Sequence, residues 1–339
     1  MAGKRLLVKG SIINSYINMT EIKKFTETDI EFQEIARLYN LVSHDDKDHP
    51  DDVKDDWEIR DKSIIRNRLF LYRDNAVIGY LGYGQGRDEN KQNCYFNIFL
   101  DPNFNGNGYR QQLYDQMLQE VQAFSCNRLY MSIYEHKNYD QSKKFLVKNG
   151  FENNFKIRES SLDLGSIVLD EYSSLISKLD AKGIQFYDAK NEMKDFPDHY
   201  KKLEESMWNY FQDMPMPEGI THTRMPFDQF IKYQNRFEKK LYGIQIIAVI
   251  GEKYIGATDI YVKPKCDPHK AWTGSLGVLR EYRRQGIATA LKVKAFEKLK
   301  EKGVKQVRTD NEENNPMYKI NVALGFTPEP YCYDYQKEI

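Results

Sequence analysis

The folding pattern of this chain is clearest in Val278-Leu-Arg-Glu-Tyr-Arg-Arg-Gln-Gly-Ile-Ala-Thr-Ala-Leu-Lys292. The run before its loop, residues 272–279, is short and apolar, as in a buried strand. After the loop, apolar residues recur every three or four positions and predict one buried helix face: Ala290, Leu291, Val293, Phe296 and Leu299. The segment therefore predicts a strand, a loop and an amphipathic helix.

The loop between this strand and helix has the form Arg-x-x-Gly-x-Ala over residues 283–288. A loop that enters a helix leaves backbone N–H groups unpaired, and these groups, with the positive end of the helix dipole, can bind a phosphate. Gly286 and Ala288 keep the backbone accessible because a larger side chain would hold the phosphate away. The other interpretation is a basic turn that caps a surface helix.

Two motifs in this order resemble those of the GNAT acyltransferases. Residues 278–292 resemble motif A of that family, which binds the pyrophosphate of acetyl-CoA, and residues 309–326 resemble its second hallmark, a strand and a short helix ending in Gly325-Phe326. The resemblance implies acetyl-CoA as co-substrate, with contacts from Leu276, Gly277, Val278, Arg283, Arg284, Gln285, Gly286, Ile287, Ala288, Thr289 and Asn314. Asn314 is equally consistent with a helix N-cap.

The composition excludes several classes of protein. Lysine plus arginine equals aspartate plus glutamate, 50 against 50, which argues against a general affinity for nucleic acid or for anionic membranes. The four cysteines have no paired spacing, so we expect neither a metal site nor a disulfide framework. No apolar segment has the length of a signal-peptide core or a membrane span. We therefore expect a cytoplasmic protein, either a monomer or a homodimer.

Landmarks of the second half recur in the first half. Gly256, Gly286 and Gly325 lie 177, 178 and 175 positions after Gly79, Gly108 and Gly150, each in a similar local context. A nearly constant offset indicates an internal duplication. The chain thus resembles tandem GNAT proteins of the mycothiol synthase type.

The resemblance implies an α/β (α+β) fold with two tandem GNAT domains. Each domain is expected to have a mixed, mostly antiparallel sheet flanked by helices. The predicted organisation is an N-terminal arm, a degenerate GNAT domain, a linker helix and a GNAT domain presumed catalytic, with boundaries at 1–19, 20–165, 166–182 and 183–339.

The two halves differ at the predicted phosphate-binding loop, residues 283–288 in the second half, which is called the phosphate loop below. Aligning Gly108 with Gly286 places Arg110 opposite Ala288, where the family requires a small residue. Arg110 would crowd a pyrophosphate unless it swings outward. We therefore predict that the N-terminal half has lost catalysis and supplies one wall of the substrate cleft; binding of CoA without turnover is the alternative.

The resemblance implies direct attack of a substrate amine on the thioester of acyl-CoA. Backbone N–H groups along residues 276–278 would polarise the carbonyl, and a carboxylate would remove a proton from the ammonium. Glu204, Glu205, Asp213 and Asp259 have suitable topology for that carboxylate. Many family members have a tyrosine acid at the position of Asn321, so Tyr318 is the substitute candidate.

The acceptor side is predicted from the loop at residues 213–219. This loop resembles the Asp-x-Pro loop of tandem members, so we expect Asp213, Met214 and Met216 to line the substrate pocket, with Trp208 either beside them or in the core. The acidic stretch at residues 43–56 has no EF-hand or zinc spacing. It is interpreted as a solvated loop that could attract a cationic substrate.

The leading hypothesis is an acyl-CoA-dependent N-acetyltransferase that acts on a primary amine of a small molecule, with the C-terminal domain catalytic. One alternative is a catalytically silent tandem GNAT protein that binds CoA or a protein partner. Another is acetylation of protein N-termini, which predicts a groove open at both ends.

Overall fold

A computed structural model describes residues 20–136, 138–193 and 196–339 of the chain. The predicted arm at residues 1–19 lies outside this described part. Within it, the chain alternates strands and helices in two similar halves, as the duplication predicts.

The N-terminal half contains six strands and four helices. The strands are β1 (Thr20–Lys24), β2 (Arg66–Arg73), β3 (Ala76–Gln85), β4 (Asn93–Leu100), β5 (Arg128–Tyr134) and β6 (Glu152–Asp163). The helices are α1 (Asp29–Val42), α2 (Pro50–Ile59), α3 (Tyr109–Val121) and α4 (Tyr139–Lys148).

The C-terminal half follows a short connecting helix, α5 (Ser173–Asp180). Its strands are β7 (Ile184–Asp188), β8 (Ile244–Ile250), β9 (Lys253–Lys263), β10 (Asp267–Val278), β11 (Gln306–Asn311) and β12 (Thr327–Glu338). Its helices are α6 (His199–Phe211), α7 (Phe227–Lys240), α8 (Ile287–Glu301) and α9 (Pro316–Ala323).

The twelve strands found in the described ranges form one continuous sheet in the order β1-β2-β3-β4-β5-β12-β6-β11-β10-β9-β8-β7. Only β4 with β5 and β10 with β11 pair in parallel; the other neighbours are antiparallel. The mixed, mostly antiparallel sheet of the prediction is confirmed. Its continuity across the two halves was not expected.

The two halves exchange their last strands. β6 lies between β11 and β12, and β12 lies between β5 and β6. As a result Leu162 of β6 is buried in the core of the C-terminal half, and Tyr335 of β12 is buried in that of the N-terminal half. Each core therefore depends on a strand from the other half.

The glycines that revealed the duplication have the same local role in both halves. Gly108 and Gly286 are the N-cap residues of α3 and α8, with φ of +78° and +87°. Gly150 and Gly325, with φ of +80° and +91°, follow the ends of α4 and α9. Because only glycine adopts this left-handed region without strain, the repeated glycines mark repeated backbone geometry.

The apolar face predicted for α8 is confirmed, since its five residues all belong to the core of the C-terminal half. The linker prediction is less exact. A single 3₁₀ turn, Leu169–Tyr172, precedes α5, so the predicted linker helix over 166–182 is helical for only part of its length.

The acidic stretch at residues 43–56 is not a solvated loop, which corrects the sequence-based expectation. Its second half forms α2, and several of its carboxylates pair with basic residues of the C-terminal half. Asp45 bonds Arg308 at 2.7 Å, and Asp48 bonds Lys263 at 2.9 Å. Such long-range pairing cannot be recognised in a local run of charges.

No helix in the described ranges combines the length and apolar character needed to cross a membrane. The four cysteines, Cys94, Cys126, Cys266 and Cys332, are free thiols.

Candidate functional site

A cleft opens where β10 and β11 separate. The two strands pair only through residues 270–272 and 306–308, and a bulge interrupts β10 between Thr273 and Leu276. Within the described chain, the edge of β10 that faces β11 has no strand partner beyond Trp272. The Val278 C=O there accepts a hydrogen bond from Arg283 Nε at 2.8 Å, and the backbone groups that remain unpaired along this edge can bind a ligand.

The cleft has a volume of about 220 Å³ and receives side chains from β10, β11, α6, α8 and α9. Seven residues of the sequence-based prediction line it: Leu276, Gly277, Val278, Arg283, Asp213, Met214 and Asn321. Eight further polar residues line it that the sequence reasoning missed: Tyr210, Thr273, Ser275, Lys292, Thr309, Asp310, Asn311 and Asn315.

The predicted phosphate loop leads directly into α8. Arg284 and Gly286 have φ of +60° and +87°, and no side chain caps the first turn of the helix in the described structure. Ile287 and Ala288 are buried in the core, so only their backbone N–H groups face a ligand at the helix end. Arg284 is exposed, and Gln285 accepts a hydrogen bond from Lys182 at 3.1 Å.

Gly286 has a second reason to be glycine, which the sequence could not reveal. A Cβ atom at this position would lie 2.6 Å from Cδ1 of Leu175 on α5. The counterpart Gly108 has the same left-handed backbone and open space around it. The connecting helix therefore packs directly against the loop of the C-terminal half.

Asp213 lines the cleft and pairs with the loop that leads into α8. Its carboxylate accepts hydrogen bonds from Arg280 and, at 2.5 Å, from Arg283 of the phosphate loop. Hydrogen bonds from Arg280 and Arg283 hold the pKa of Asp213 well below its usual range. Because this carboxylate stays ionised and paired, it is a poor proton acceptor near neutral pH.

The other predicted carboxylates differ sharply in environment. Glu204 is buried and accepts two hydrogen bonds from Arg224, at 2.8 and 2.5 Å, whereas Glu205 is exposed. Neither residue lines the cleft. Asp259 is half-buried beside it, and its Oδ1 accepts a hydrogen bond from Ser275 Oγ at 2.8 Å. Burial raises the pKa of Asp259 to about 6.

Two residues at the inner part of the cleft carry unpaired polar atoms. Asn321 donates from Nδ2 to Asn311 at 2.5 Å, and its Oδ1 is buried with no partner among the described residues. The Tyr210 hydroxyl is also buried without a partner there, and burial raises its pKa well above the usual range. Tyr318, the substitute acid of the prediction, does not line the cleft.

Tyr210 and Gly277 fit each other closely. A Cβ atom at Gly277 would lie 1.9 Å from the Tyr210 ring, so only glycine lets α6 approach β10 here. No local pattern in the sequence connects these two residues. The tyrosine that reaches the cleft was therefore invisible to sequence analysis.

The N-cap of α9 is Asn315, not Asn314. The Asn315 side chain accepts a hydrogen bond from the Met317 N–H at 3.0 Å, while Asn314 is exposed and donates to Glu312. Asn315 lines the cleft and Asn314 does not. The capping alternative for Asn314 was thus wrong by one position.

Lys292 is the most unusual group in the cleft. It is 1% exposed, and its Nζ has no hydrogen-bond partner in the described chain. Burial lowers the pKa of its ammonium to about 7. A buried amine without a partner is costly to the free protein, so a ligand acceptor in the cleft would satisfy it.

The remaining predicted substrate residues lie away from the cleft. Trp208 packs near Arg224, whose guanidinium is 6.0 Å from the ring centroid, and Met216 is half-buried. Neither lines the cleft. Asp213 and Met214 are the two members of that predicted set that do.

The N-terminal half keeps the same strand separation but different chemistry. β4 and β5 pair only through residues 93–95 and 128–130. Arg110 places its guanidinium 5.6 Å from the centroid of the Phe145 ring. The register that matches Gly79 with Gly256 places Gly82 where β9 has Asp259, so this carboxylate has no counterpart there.

Comparisons with known proteins agree with this description. The model of the acetyltransferase (GNAT) family matches residues 30–151 and again 201–322. A comparison with curated protein sequences found no significant match.

Several solved structures share the fold over nearly the whole chain. A tandem GNAT protein from the clavulanic acid biosynthesis pathway, determined without AcCoA, has a TM-score of 0.75 and 17% identity, covering 94% of this chain and 98% of its own. A GCN5-related N-acetyltransferase from Sphaerobacter thermophilus has a TM-score of 0.67 and 17% identity, covering 94% and 95%. A glucosamine N-acetyltransferase region of a fungal GH3 β-N-acetylglucosaminidase has a TM-score of 0.68 and 13% identity, covering 94% and 38%.

Proposed function

This chain belongs to the acetyltransferase (GNAT) family, and we therefore propose that it transfers an acyl group from acyl-CoA, most simply acetyl-CoA, to a primary amine of a small molecule. The cleft between β10 and β11 is the proposed acyl-CoA site. The observation that carries the proposal is the set of unpaired groups there: an open strand edge, an uncapped helix end and four buried side-chain atoms without partners among the described residues.

The residues present fit such a co-substrate. Its pyrophosphate would be held by the N–H groups at the start of α8. Its pantetheine amides would pair with the open edge of β10 and with Lys292 and Asn321. Bound acyl-CoA supplies a thioester carbonyl that an amine can attack.

Asp259 is the proposed proton acceptor. It is the carboxylate of the predicted set that lies half-buried beside the cleft without an ion-pair partner in the described chain. Its pKa of about 6 leaves it ionised but basic at neutral pH. The Tyr210 hydroxyl, protonated at neutral pH because burial raises its pKa, is the proposed donor to the leaving thiolate.

We assign turnover to the C-terminal half. Two differences support this assignment: Arg110 replaces the small Ala288, and Gly82 replaces Asp259. The N-terminal half would then have a structural role and contribute to the acceptor site.

Calorimetric titration with acetyl-CoA tests the proposal, and we expect one site per chain. Two sites would contradict the assignment to one half, and no binding would contradict acetyl-CoA as co-substrate. Binding without turnover of any amine would instead support a silent, CoA-binding protein.

The Tyr210→Phe and Asp259→Asn variants separate binding from chemistry. We expect both variants to bind acetyl-CoA with nearly unchanged affinity and to lose kcat, because general acid–base catalysis contributes about 10²–10⁴-fold. The Glu205→Gln variant is the control, since Glu205 is exposed and lies outside the cleft. Full activity of Asp259→Asn would reject its proposed role.

A further inference from the structure

A second cavity, of about 500 Å³, lies between the two halves of the chain. The N-terminal half contributes Asp48, Asp52 and Asp56, and the C-terminal half contributes residues of α7, β8, β9 and β10. Small-molecule sites typically have volumes of about 300–1,000 Å³. The cavity has the size of such a site and exists only because the two halves pack together.

This interdomain cavity meets the proposed acyl-CoA cleft at Gly274, which lines both. Asp259 lines the cavity, and Ser275, which donates a hydrogen bond to it, lines the cleft. A Cβ atom at Gly274 would lie 3.2 Å from Asp259 Oδ2. A molecule in the cavity would therefore meet Asp259 at the point where the cleft begins.

The cavity carries more negative than positive charge. Four aspartates line it, against two basic residues, Arg236 and Lys263. Lys263 pairs with Asp48 at 2.9 Å, and Arg236 pairs with Asp56 at 3.1 Å. The carboxylate oxygens of Asp52 and Asp259 have no ion-pair partner within 4.0 Å in the described part of the chain, although Arg236 Nη2 donates to the backbone carbonyl of Asp52 at 3.5 Å. The cavity thus offers two carboxylates that form no direct ion pair.

Asp52 has the features of a ligand-binding group. It is 5% exposed, and its Oδ2 has no hydrogen-bond partner among the described residues. The neighbouring Gln234, 7% exposed, likewise has an unpartnered Oε1 that lines the cavity. Burial raises the pKa of Asp52, and the positive charges of Arg236 and Lys265 offset this rise only in part. Both acceptors need donors, and an ammonium group supplies three.

We propose that this cavity binds the acyl acceptor and that the acceptor is a small molecule with two or more amino groups. One amine is presented to Asp259 for acylation, and a second, as an ammonium, is held by Asp52 and Gln234. The rings of Tyr233 and Phe237 form further walls suited to a cation. This inference rests on the proposed acyl transfer, and it gives the N-terminal half the task of selecting the substrate.

Matched amines test the inference in the intact chain. The wild type is assayed with acetyl-CoA and either 1-aminobutane or 1,4-diaminobutane, and binding of spermidine is measured separately by calorimetry. We expect kcat/KM for the diamine to exceed that for the monoamine at least tenfold, because the KM of the diamine is lower while kcat is similar. Equal values for the two amines would overturn the inference, and this comparison needs no variant.

The Asp52→Asn variant locates the second ammonium. We expect it to reduce the diamine-to-monoamine ratio at least tenfold and to weaken spermidine binding by a similar factor. Asp51→Asn is the matched control, because Asp51 also lies in the first turn of α2 but is exposed, pairs with Lys265 and does not line the cavity. An unchanged ratio in Asp52→Asn, or an equal loss in both variants, would reject the assignment of Asp52.

The two readouts distinguish this inference from the proposed function. Spermidine binding that depends on Asp52, without acylation of any amine, would support the cavity as a site for molecules with several amino groups and would refute acyl transfer. Acylation of monoamines without a diamine preference or spermidine binding would support acyl transfer and refute the cavity as a site for diamines.

Discussion

At the scale of single residues, the surroundings of a side chain decide its chemistry. Asp213 and Asp259 are both aspartates near the cleft, yet two arginines lower the pKa of the first and burial raises that of the second. The same residue type is thus a fixed ion in one place and a candidate base in the other. The first prediction follows from this contrast.

We expect kcat/KM to rise with pH through a value of about 6 and then to level off. Below that pH Asp259 is protonated and cannot accept a proton from the amine; above it the carboxylate is free to do so. A pH–rate profile measured at acetyl-CoA saturation checks this. An acidic limb centred near pH 4, the value of an exposed aspartate, would argue against Asp259.

The Lys292→Met variant should be more stable than the wild type at neutral pH. An unfolded lysine has a pKa of about 10.4, and burial lowers the folded value to about 7. Between these values the unfolded chain binds more protons, so wild-type stability rises with pH. We expect a gain of roughly 1–4 kcal/mol below pH 7 and none above about pH 10.5.

Denaturant unfolding at several pH values measures that difference in unfolding free energy. Lys298→Met is the control, since Lys298 lies on the same helix but is partly exposed and pairs with Glu301. It should change stability by no more than about 0.5 kcal/mol. A pH-independent gain in Lys292→Met would show that methionine packs better and that the buried charge is not the cause.

At the scale of elements, three parts of the molecule meet at the start of α8: the loop before it, α8 itself and the connecting helix α5. Gly286 ends the phosphate loop, caps the helix and contacts Leu175 of α5. Its counterpart Gly108 ends an equivalent loop with no such contact. Comparing Gly286 with Gly108 therefore isolates the effect of the contact with the connecting helix α5.

We expect Gly286→Ala to destabilise the protein more than Gly108→Ala. Both changes force a Cβ into the left-handed region at a cost of about 1–2 kcal/mol, but only the first also presses on Leu175, adding roughly 1 kcal/mol. Unfolding free energies measure the difference. In a Leu175→Ala background, Gly286→Ala should cost less stability than in the wild type, whereas the cost of Gly108→Ala should not change. Equal costs of the two glycine substitutions in the wild type would refute the contact.

At the scale of the whole molecule, the exchanged strands tie the two halves together. β12 supplies Tyr335 to the N-terminal core, and β6 supplies Leu162 to the C-terminal core. The acidic stretch adds ion pairs such as that of Asp45 with the buried Arg308. Neither half has a complete core alone, so the halves should unfold together.

Calorimetry should therefore show one cooperative transition. Tyr335 belongs to the C-terminal half of the sequence and is buried in the N-terminal core. Tyr335→Ala should nevertheless lower the temperature of the entire transition and reduce the free energy of unfolding by about 3–5 kcal/mol, as truncations of other large buried aromatic residues do. Ile339→Ala is a control because Ile339 is exposed at the chain end. Two transitions, of which only one moves, would show that the halves unfold independently.

The sequence alone determined the family, the order of the elements and the loop that leads into α8. These features are local: glycines with positive φ recur at fixed offsets, and apolar spacing marks the buried face of α8. Neighbouring residues specify local backbone geometry and helical periodicity, and for this reason both can be predicted from the sequence.

Only the tertiary structure decided the rest. It exchanged β6 with β12, turned the acidic stretch into an interface and a cavity wall, paired Asp213 with the phosphate loop, and brought Tyr210 against Gly277. Each of these contacts joins residues dozens to hundreds of positions apart. Their pairing depends on packing and on the balance between burial and charge, and no local pattern in the sequence specifies either.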